Sequence, residues 1–414
     1  MLIDCIKKIQ SIFFVILKII CIFAEKTKNK FKMSLKLTKT TYYLKDVAVV
    51  QSPISYQLHR ADVNPFTTTC GRETLPIFVA PMASVTDENN YKIWIDNKVT
   101  PVVPRSVMMR LNINQRLEIA KTTFVSISLQ EAVMLYENNT FDNYKDNTLY
   151  ICIDIAHGTL SSLFDVCRNI KEKYGKNVVI MTGNIANPDA YINYCLNGID
   201  YVRCSIGTGS RCTSSANVSI AMGNATLLDE INDLRLNIRW QIENGKCNHN
   251  PIITETKIIA DGGIGWFDDI QKSLALGADY VMIGKLFAEC NEACEPVYYA
   301  VSEDEYIRGN KFTPSEMLKK EIDCPGCRDL FNRYRDYYGM STKKSQSITG
   351  GDGSKTSEGI SKPVEVKHSV SKFLDNAESY LRSCMTYTNS ETLGDLKNAE
   401  VVILGGTGDL TYRK

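Results

Sequence analysis

The stretch KIIADGGIGWFDDIQKSLALGADYVMIGK (257–285) decides the fold. It opens with an apolar run, KIIADGG (257–263), that ends in glycine. A helix-like amphipathic segment, FDDIQKSLALGA (267–278), follows, and a second apolar run, DYVMIGK (279–285), again meets glycine. Short continuous apolar runs suit strands buried on both faces, as in a parallel sheet. A helix between two such strands is a right-handed βαβ crossover.

The unit recurs upstream in LPIFVAPM (75–82), VTPVVPRS (99–106), TFVSISL (123–129), LYICIDIA (149–156), NVVIMTGN (177–184) and DYVRCSIG (200–207). With the two runs above this makes eight strands, and eight βα units predict a closed (β/α)8 barrel, a TIM barrel of the α/β class. An open doubly wound sheet is the alternative, but it calls for a glycine fingerprint after its first strand, and VAPMAS (79–84) is not one. A barrel also requires chemistry at the C-terminal strand ends. Those ends read APM, PRS, SIS, DIAHG, TGN, GTGSRC, DGGI and GK.

The chain has 414 residues, 44% hydrophobic and 23% charged, with a net charge of +1, so no global charge draws it to nucleic acid or to an anionic membrane. Its 14 cysteines are scattered through apolar runs rather than arranged as a secreted framework, which predicts reduced thiols and a cytoplasmic protein. Residues 1–32 carry IQSIFFVILKIICIFA, short for a membrane span, and are expected to lie outside the fold, with a membrane anchor as the other reading. Residues 33–414 then form one domain. It carries an insert at 286–336 and a Gly/Ser/Lys stretch, STKKSQSITGGDGSKTSEG (341–359), that is either a passive loop or a mobile flap.

Glycines in ADGGIG (260–265) and IGK (283–285) let backbone amides approach a ligand, and the last two loops of barrels often hold a phosphate. Lys285 adds a charge there. Asp154 ends the fourth strand, where an unpaired buried carboxylate would be costly, and His157 beside it is either a base or a structural histidine. Cys212, in IGTGSRCTSS (206–215), follows two glycines and Arg211 in a turn. Free amides and a nearby cation favour a thiolate nucleophile, against a plain buried thiol. Carbonyls at Gly207 and Gly209 offer a place for a monovalent cation.

GTGSRCT (207–213), with ADGGI, DYVMIGK and YYGMS (337–341) downstream, resembles the IMP dehydrogenase/GMP reductase family. So do APMASVTDENNY (80–91) and TGNIANPDAYINYCLNGIDYVR (182–203). The resemblance runs over roughly residues 40–400 and implies a tetramer of (β/α)8 barrels that binds a purine nucleotide and a nicotinamide cofactor, NADPH or NAD. By position it implies that Cys212 attacks C2 of the base and that Ser210, Gly263 and Gly284 meet the phosphate, where Lys285 adds its charge. Asp261 would hold the ribose, and Met82, Tyr337, Gly339 and Met340 would line the base pocket. Asp154, Gly183 and Asn184 would face the nicotinamide. Gly207, Gly209 and Cys212 would offer carbonyls to potassium.

The reductase branch is favoured over the dehydrogenase. No regulatory tandem domain fits between VVPRS and FVSIS, and the flap holds no Arg-Tyr pair. Ser214 and Glu358 then stand where the reductase keeps a hydroxyl and a carboxylate that assist ammonia departure. IMP dehydrogenase is the alternative, and an inactive nucleotide-binding barrel is the second. Lys285, Arg211, His157 and SSANVSIAMGN (214–224) depart from the family pattern. Finally, Cys290 and Cys294 in CNEAC and Cys324 and Cys327 in CPGC have spacing that suits either a thiolate zinc site or incidental buried thiols.

Overall fold

The computed structural model describes residues 40–209, 214–245, 253–339, 342–348 and 359–404. The eight anticipated strands are present: β1 Ile77–Val79, β2 Thr100–Val103, β3 Phe124–Ile127, β4 Leu149–Asp154, β5 Val178–Ile185, β6 Tyr201–Cys204, β7 Lys257–Asp261 and β8 Tyr280–Ile283. All neighbours are parallel, and the sheet closes in the order β7-β8-β1-β2-β3-β4-β5-β6. The outer helices are α1 Tyr91–Asp96, α2 Ile113–Ala120, α3 Leu129–Glu137, α4 Ser161–Tyr174, α5 Ala190–Leu196, α6 Asn224–Glu243, α7 Phe267–Ala275 and α8 Val370–Tyr387. Local sequence starts several of them. Asn112 and Ser128 cap α2 and α3 by accepting from the amides of Gln115 and Glu131, each in a reciprocal capping box.

Closure turns the period of two along each strand into an inside and an outside. Val202 and Cys204 of β6 face the helices, as do Ile151 and Ile153 of β4, whereas Cys152, Met181, Ile259 and Met282 face the barrel interior. The interior is plugged by aromatic side chains. Phe78 meets Phe124, Tyr201 and Tyr280 with ring centroids 5.0 to 6.0 Å apart, edge-on or tilted. An antiparallel hairpin, Thr67–Thr69 with Arg72–Thr74, seats itself on that plug, and Thr69 Oγ1 donates to Tyr280 Oη at 3.2 Å. One end of the barrel is thereby filled, and the polar strand ends are left at the other.

After β8 the chain builds a small antiparallel sheet of β9 Tyr298–Ala300, β10 Asn332–Tyr337 and β11 Lys362–Glu365, in that order. The anticipated insert is therefore a folded annex whose central strand, β10, runs back to the barrel mouth. Of the predicted flap, 342–348 are described and include a helix at Lys343–Ile348, while 349–358 lie outside the described residues. α8 lies beyond the annex, and its Phe373 packs on Phe267 of α7 at 5.6 Å. Residues 1–39, including the apolar N-terminal segment, lie outside the described residues. Among the described residues no helix is long and apolar enough to cross a membrane.

Candidate active site

Strand register builds the floor of the site. Asp154 of β4 lies opposite Gly183 of β5, and Gly183 lies opposite Arg203 of β6, so the three share one inward-facing layer. Gly183 has no side chain, and this opens the path between its neighbours. A Cβ there would sit 2.7 Å from Arg203 Cβ and 2.5 Å from the Arg203 carbonyl oxygen. Arg203 therefore reaches across to Asp154, with Nη1 donating to Oδ1 at 2.7 Å. In the other direction its Nε donates to Asp261 Oδ2 of β7 at 2.9 Å. Burial works against the Arg203 charge, but Asp261 and Asp154 overcome it and hold the guanidinium protonated above its usual range. Asn184 Nδ2 donates to the same Asp261 oxygen at 2.7 Å and to the Ser205 carbonyl at 3.0 Å. Asp261 Oδ2 is thus saturated, and among the described residues no hydrogen bond takes up its other oxygen, which can accept from a ligand.

Above this layer opens a cavity of about 400 Å³. Asp154, Arg203 and Asp261 line it, with Thr208 and Gly209 after β6, 262–265 after β7, and Gly284 and Lys285 after β8. Met82, Tyr337 and Gly339 form its far wall. The lack of a side chain at Gly284 shapes that wall. A Cβ there would approach Tyr337 Oη to 2.5 Å and Met82 Sδ to 2.6 Å. Lys285 is half-exposed at the rim, its Nζ 3.7 Å from Glu289 Oε1. A carboxylate with one free oxygen, glycine-rich turns and a rim cation suit a polar, anionic ligand.

The structure thus brings together in one cavity Met82, Asp154, Asp261, Gly263, Gly284, Lys285, Tyr337 and Gly339, all singled out in the sequence. Gly183 and Asn184 act from behind it, through Arg203 and Asp261. Ser210, Cys212, Met340 and Glu358 lie outside the described residues. Thr208 and Gly209 of the loop after β6 line the cavity, and a short helix, Ser214–Asn217, follows the residues that are not described. His157 is exposed and not among the cavity-lining residues, with Nδ1 3.1 Å from Thr159 Oγ1, so it stands apart from the floor layer. Gly207 and Gly209 belong to the loop, but the Gly207 carbonyl accepts from Ser215 Oγ at 3.2 Å. On the Asp154 side, Arg105 Nε is buried without a hydrogen bond, 3.5 Å from Asp154 Oδ2. Asp154, which lines the cavity, offers a carboxylate on that side that fits the amide of a nicotinamide.

The four cysteines weighed as zinc ligands do not assemble into one centre. The Cys290 and Cys294 thiols donate to the carbonyls of Leu286 at 3.4 Å and Ala83 at 3.1 Å, against the barrel. Cys327 donates to the Lys320 carbonyl at 3.6 Å in the annex, beside an exposed Cys324. Burial pushes Cys294 up to about 12 and Cys290 higher, which disfavours the thiolates that zinc requires. Among the described residues no three His, Cys, Asp or Glu side chains are placed to hold a metal.

Arg203 and Arg105 are the site residues that sequence reasoning passed over. A usable signal was present: an arginine inside a buried strand, two residues from the inward-facing Tyr201, must point into the barrel and find carboxylates there.

Fold and site together define a (β/α)8 barrel with a glycine-walled ligand cavity at the C-terminal mouth. Residues 142–409 match the family model described as IMP dehydrogenase / GMP reductase domain, and the chain belongs to that family of NAD(P)-dependent oxidoreductases. It is 27% identical to a GMP reductase of Mycoplasma mycoides subsp. mycoides over 352 residues, 83% of this chain and 92% of that one. It is also 27% identical to a GMP reductase of Delftia acidovorans over 336 residues, 80% of this chain and 86% of that one. Identity to an inosine-5'-monophosphate dehydrogenase of Chlorobaculum parvum is 37% over 143 residues, but this spans 34% of the chain and 26% of the dehydrogenase.

Proposed function

We propose that the chain is a GMP reductase-like enzyme that converts GMP to IMP and ammonia with NADPH through a covalent intermediate on Cys212. The observation that carries the branch is the short passage from β2 to β3. Only a 3-10 turn, Arg105–Met109, and α2 stand between those strands. The dehydrogenases that the chain resembles interrupt the early barrel with a regulatory tandem domain, and nothing of that size fits here. The matches to GMP reductases over most of both chains support the same reading.

The chemistry follows from the cavity. The free oxygen of Asp261 accepts hydrogen bonds from the ribose hydroxyls, while Arg203 and Asn184 hold the other. The turns at 262–265 and 284–285, with Lys285, take the phosphate and bring the base beside the loop after β6 that carries Thr208 and Gly209. The Cys212 sulfur adds to C2 of the guanine. Glu358 and the Ser214 hydroxyl pass a proton to the 2-amino group, which leaves as ammonia, and a C2-linked thioimidate remains. NADPH, when bound on the Asp154 and Arg105 side, supplies hydride. Cleavage of the C–S bond returns the thiolate and frees IMP. The reading includes a homotetramer in the cytoplasm, the first of which sedimentation tests.

The deciding assay offers GMP with NADPH and, separately, IMP with NAD, and follows reduced-nicotinamide absorbance. Consumption of NADPH that requires GMP is expected. Turnover confined to IMP with NAD makes the chain a dehydrogenase, and turnover with neither pair leaves a binding barrel. Cys212→Ala abolishes turnover while retaining nucleotide binding.

A further inference from the structure

The segment that carries Tyr337 and Gly339 into the cavity is held from behind by a charged cluster that lies outside the cavity. Tyr338, between them, is 2% exposed and points the other way. Its Oη donates to Glu295 Oε2 at 2.8 Å. Lys344 Nζ donates to the other oxygen of Glu295 and to Asp336 Oδ2 at 2.7 Å. Tyr306 Oη donates to Asp336 Oδ1 at 3.1 Å. On the opposite flank the Tyr338 amide donates to Ser84 Oγ at 3.3 Å, and Ser84 Oγ donates to the Tyr338 carbonyl at 3.2 Å, two residues beyond Met82 of the cavity wall.

Within this cluster Lys344 is the cation shared by both carboxylates. One belongs to β10 and the other to the loop between β8 and β9. Burial works against its charge, but Asp336 and Glu295 outweigh burial and hold it protonated above its ordinary range. Removing it leaves two partly buried carboxylates facing each other, and Glu295 loses the charge that keeps it in place under the Tyr338 hydroxyl. We propose that Lys344 is a positioning residue for the nucleotide pocket: by clamping Glu295 to Asp336 it sets the turn 337–339, and with it Tyr337 against Gly284 and Met82. The proposal rests on the nucleotide reading of the cavity, but the clamp itself is measurable without any nucleotide.

The test uses the full chain, with Lys344→Met and Lys344→Arg. In nucleotide-free protein, amide hydrogen exchange across 337–339 is expected to quicken about tenfold or more in Lys344→Met, with β4 unchanged. GMP binding weakens about tenfold and KM rises by a similar factor, while kcat stays within about twofold. Lys344→Arg, which keeps the charge, restores exchange and affinity to within about threefold. Unchanged exchange at 337–339 in Lys344→Met overturns the proposal. So does a uniform rise in exchange over the whole barrel that arginine fails to rescue, because that marks a general stability role. If the native chain binds neither GMP nor IMP, the nucleotide reading fails, and the exchange comparison still decides the clamp.

Discussion

Replacing Arg203 with Met separates electrostatics from packing at the floor of the barrel mouth. Methionine keeps much of the side-chain length and removes the guanidinium that joins β4, β6 and β7. Two hydrogen-bonded ion pairs disappear, at 2.7 Å to Asp154 and 2.9 Å to Asp261, from side chains only 11 to 13% exposed. Each hydrogen bond to a charged partner contributes roughly 1.5–3 kcal/mol, and removing one member of a buried ion pair typically costs 3–5 kcal/mol. Taking the overlap into account, the expected loss is about 3–5 kcal/mol at pH 7. Arg105 Nε, 3.5 Å from Asp154 Oδ2, stays beside one of the two carboxylates, so the loss falls chiefly on Asp261. Equilibrium urea unfolding followed by tryptophan fluorescence, with buried Trp94 as a core probe, measures the loss. Arg203→Lys recovers only part of the loss, because an ammonium cannot fork to two carboxylates as a guanidinium does. A loss below about 1 kcal/mol, the range of solvent-screened pairs, would refute the reasoning.

Two other perturbations test neighbouring parts of the argument. At the start of β8, burial raises the Asp279 carboxyl, but Lys397, Arg235 and Lys257 outweigh burial and hold it below its usual range. Its contribution is fully present above the unfolded value near pH 4 and is lost as pH falls through the lower folded value. Asp279→Asn is therefore expected to cost about 3–5 kcal/mol at pH 7 and less at pH 3, as read by urea midpoints at the two pH values. Gly284→Ala places a methyl group within 2.6 Å of both Tyr337 Oη and Met82 Sδ. Overpacking of this kind costs about 1–3 kcal/mol of stability, read as a lower urea midpoint, and the displaced wall is expected to weaken nucleotide binding, as isothermal calorimetry reports.

Much of the site was legible because barrels put function at strand ends, and strand ends are punctuated by residues that stand out. Asp154, Gly263 and Gly284 each interrupt an apolar run and were found by that interruption, whereas Asp261 was found through the family resemblance. Arg203 was hidden because it sits inside the run DYVRCS, where its neighbours Val202 and Cys204 belong to the outer face. The work of Gly183 was equally hidden. It lets an arginine pass between strands, which requires knowing what lies opposite it. The cysteine pairs misled in the other direction. CNEAC and CPGC have ligand-like spacing, but nothing local to either motif fixes whether the two meet, and the fold seats one pair on the barrel and the other in the annex.

The sequence by itself determined the eight strands, the helices between them, and the apolar and polar sides of each. These depend on periodicity, capping and turn residues within a few positions along the chain. Only the tertiary structure decided that Asp154, Arg203 and Asp261 form one bridge, since they stand on three strands. Their meeting depends on barrel closure and inter-strand register, in which a shift of a single residue would turn Arg203 out toward the helices. It also decided that Lys344, Glu295 and Asp336 converge behind Tyr338. That contact joins segments separated by up to 49 positions, and it exists because the annex sheet folds its central strand back onto the mouth of the barrel.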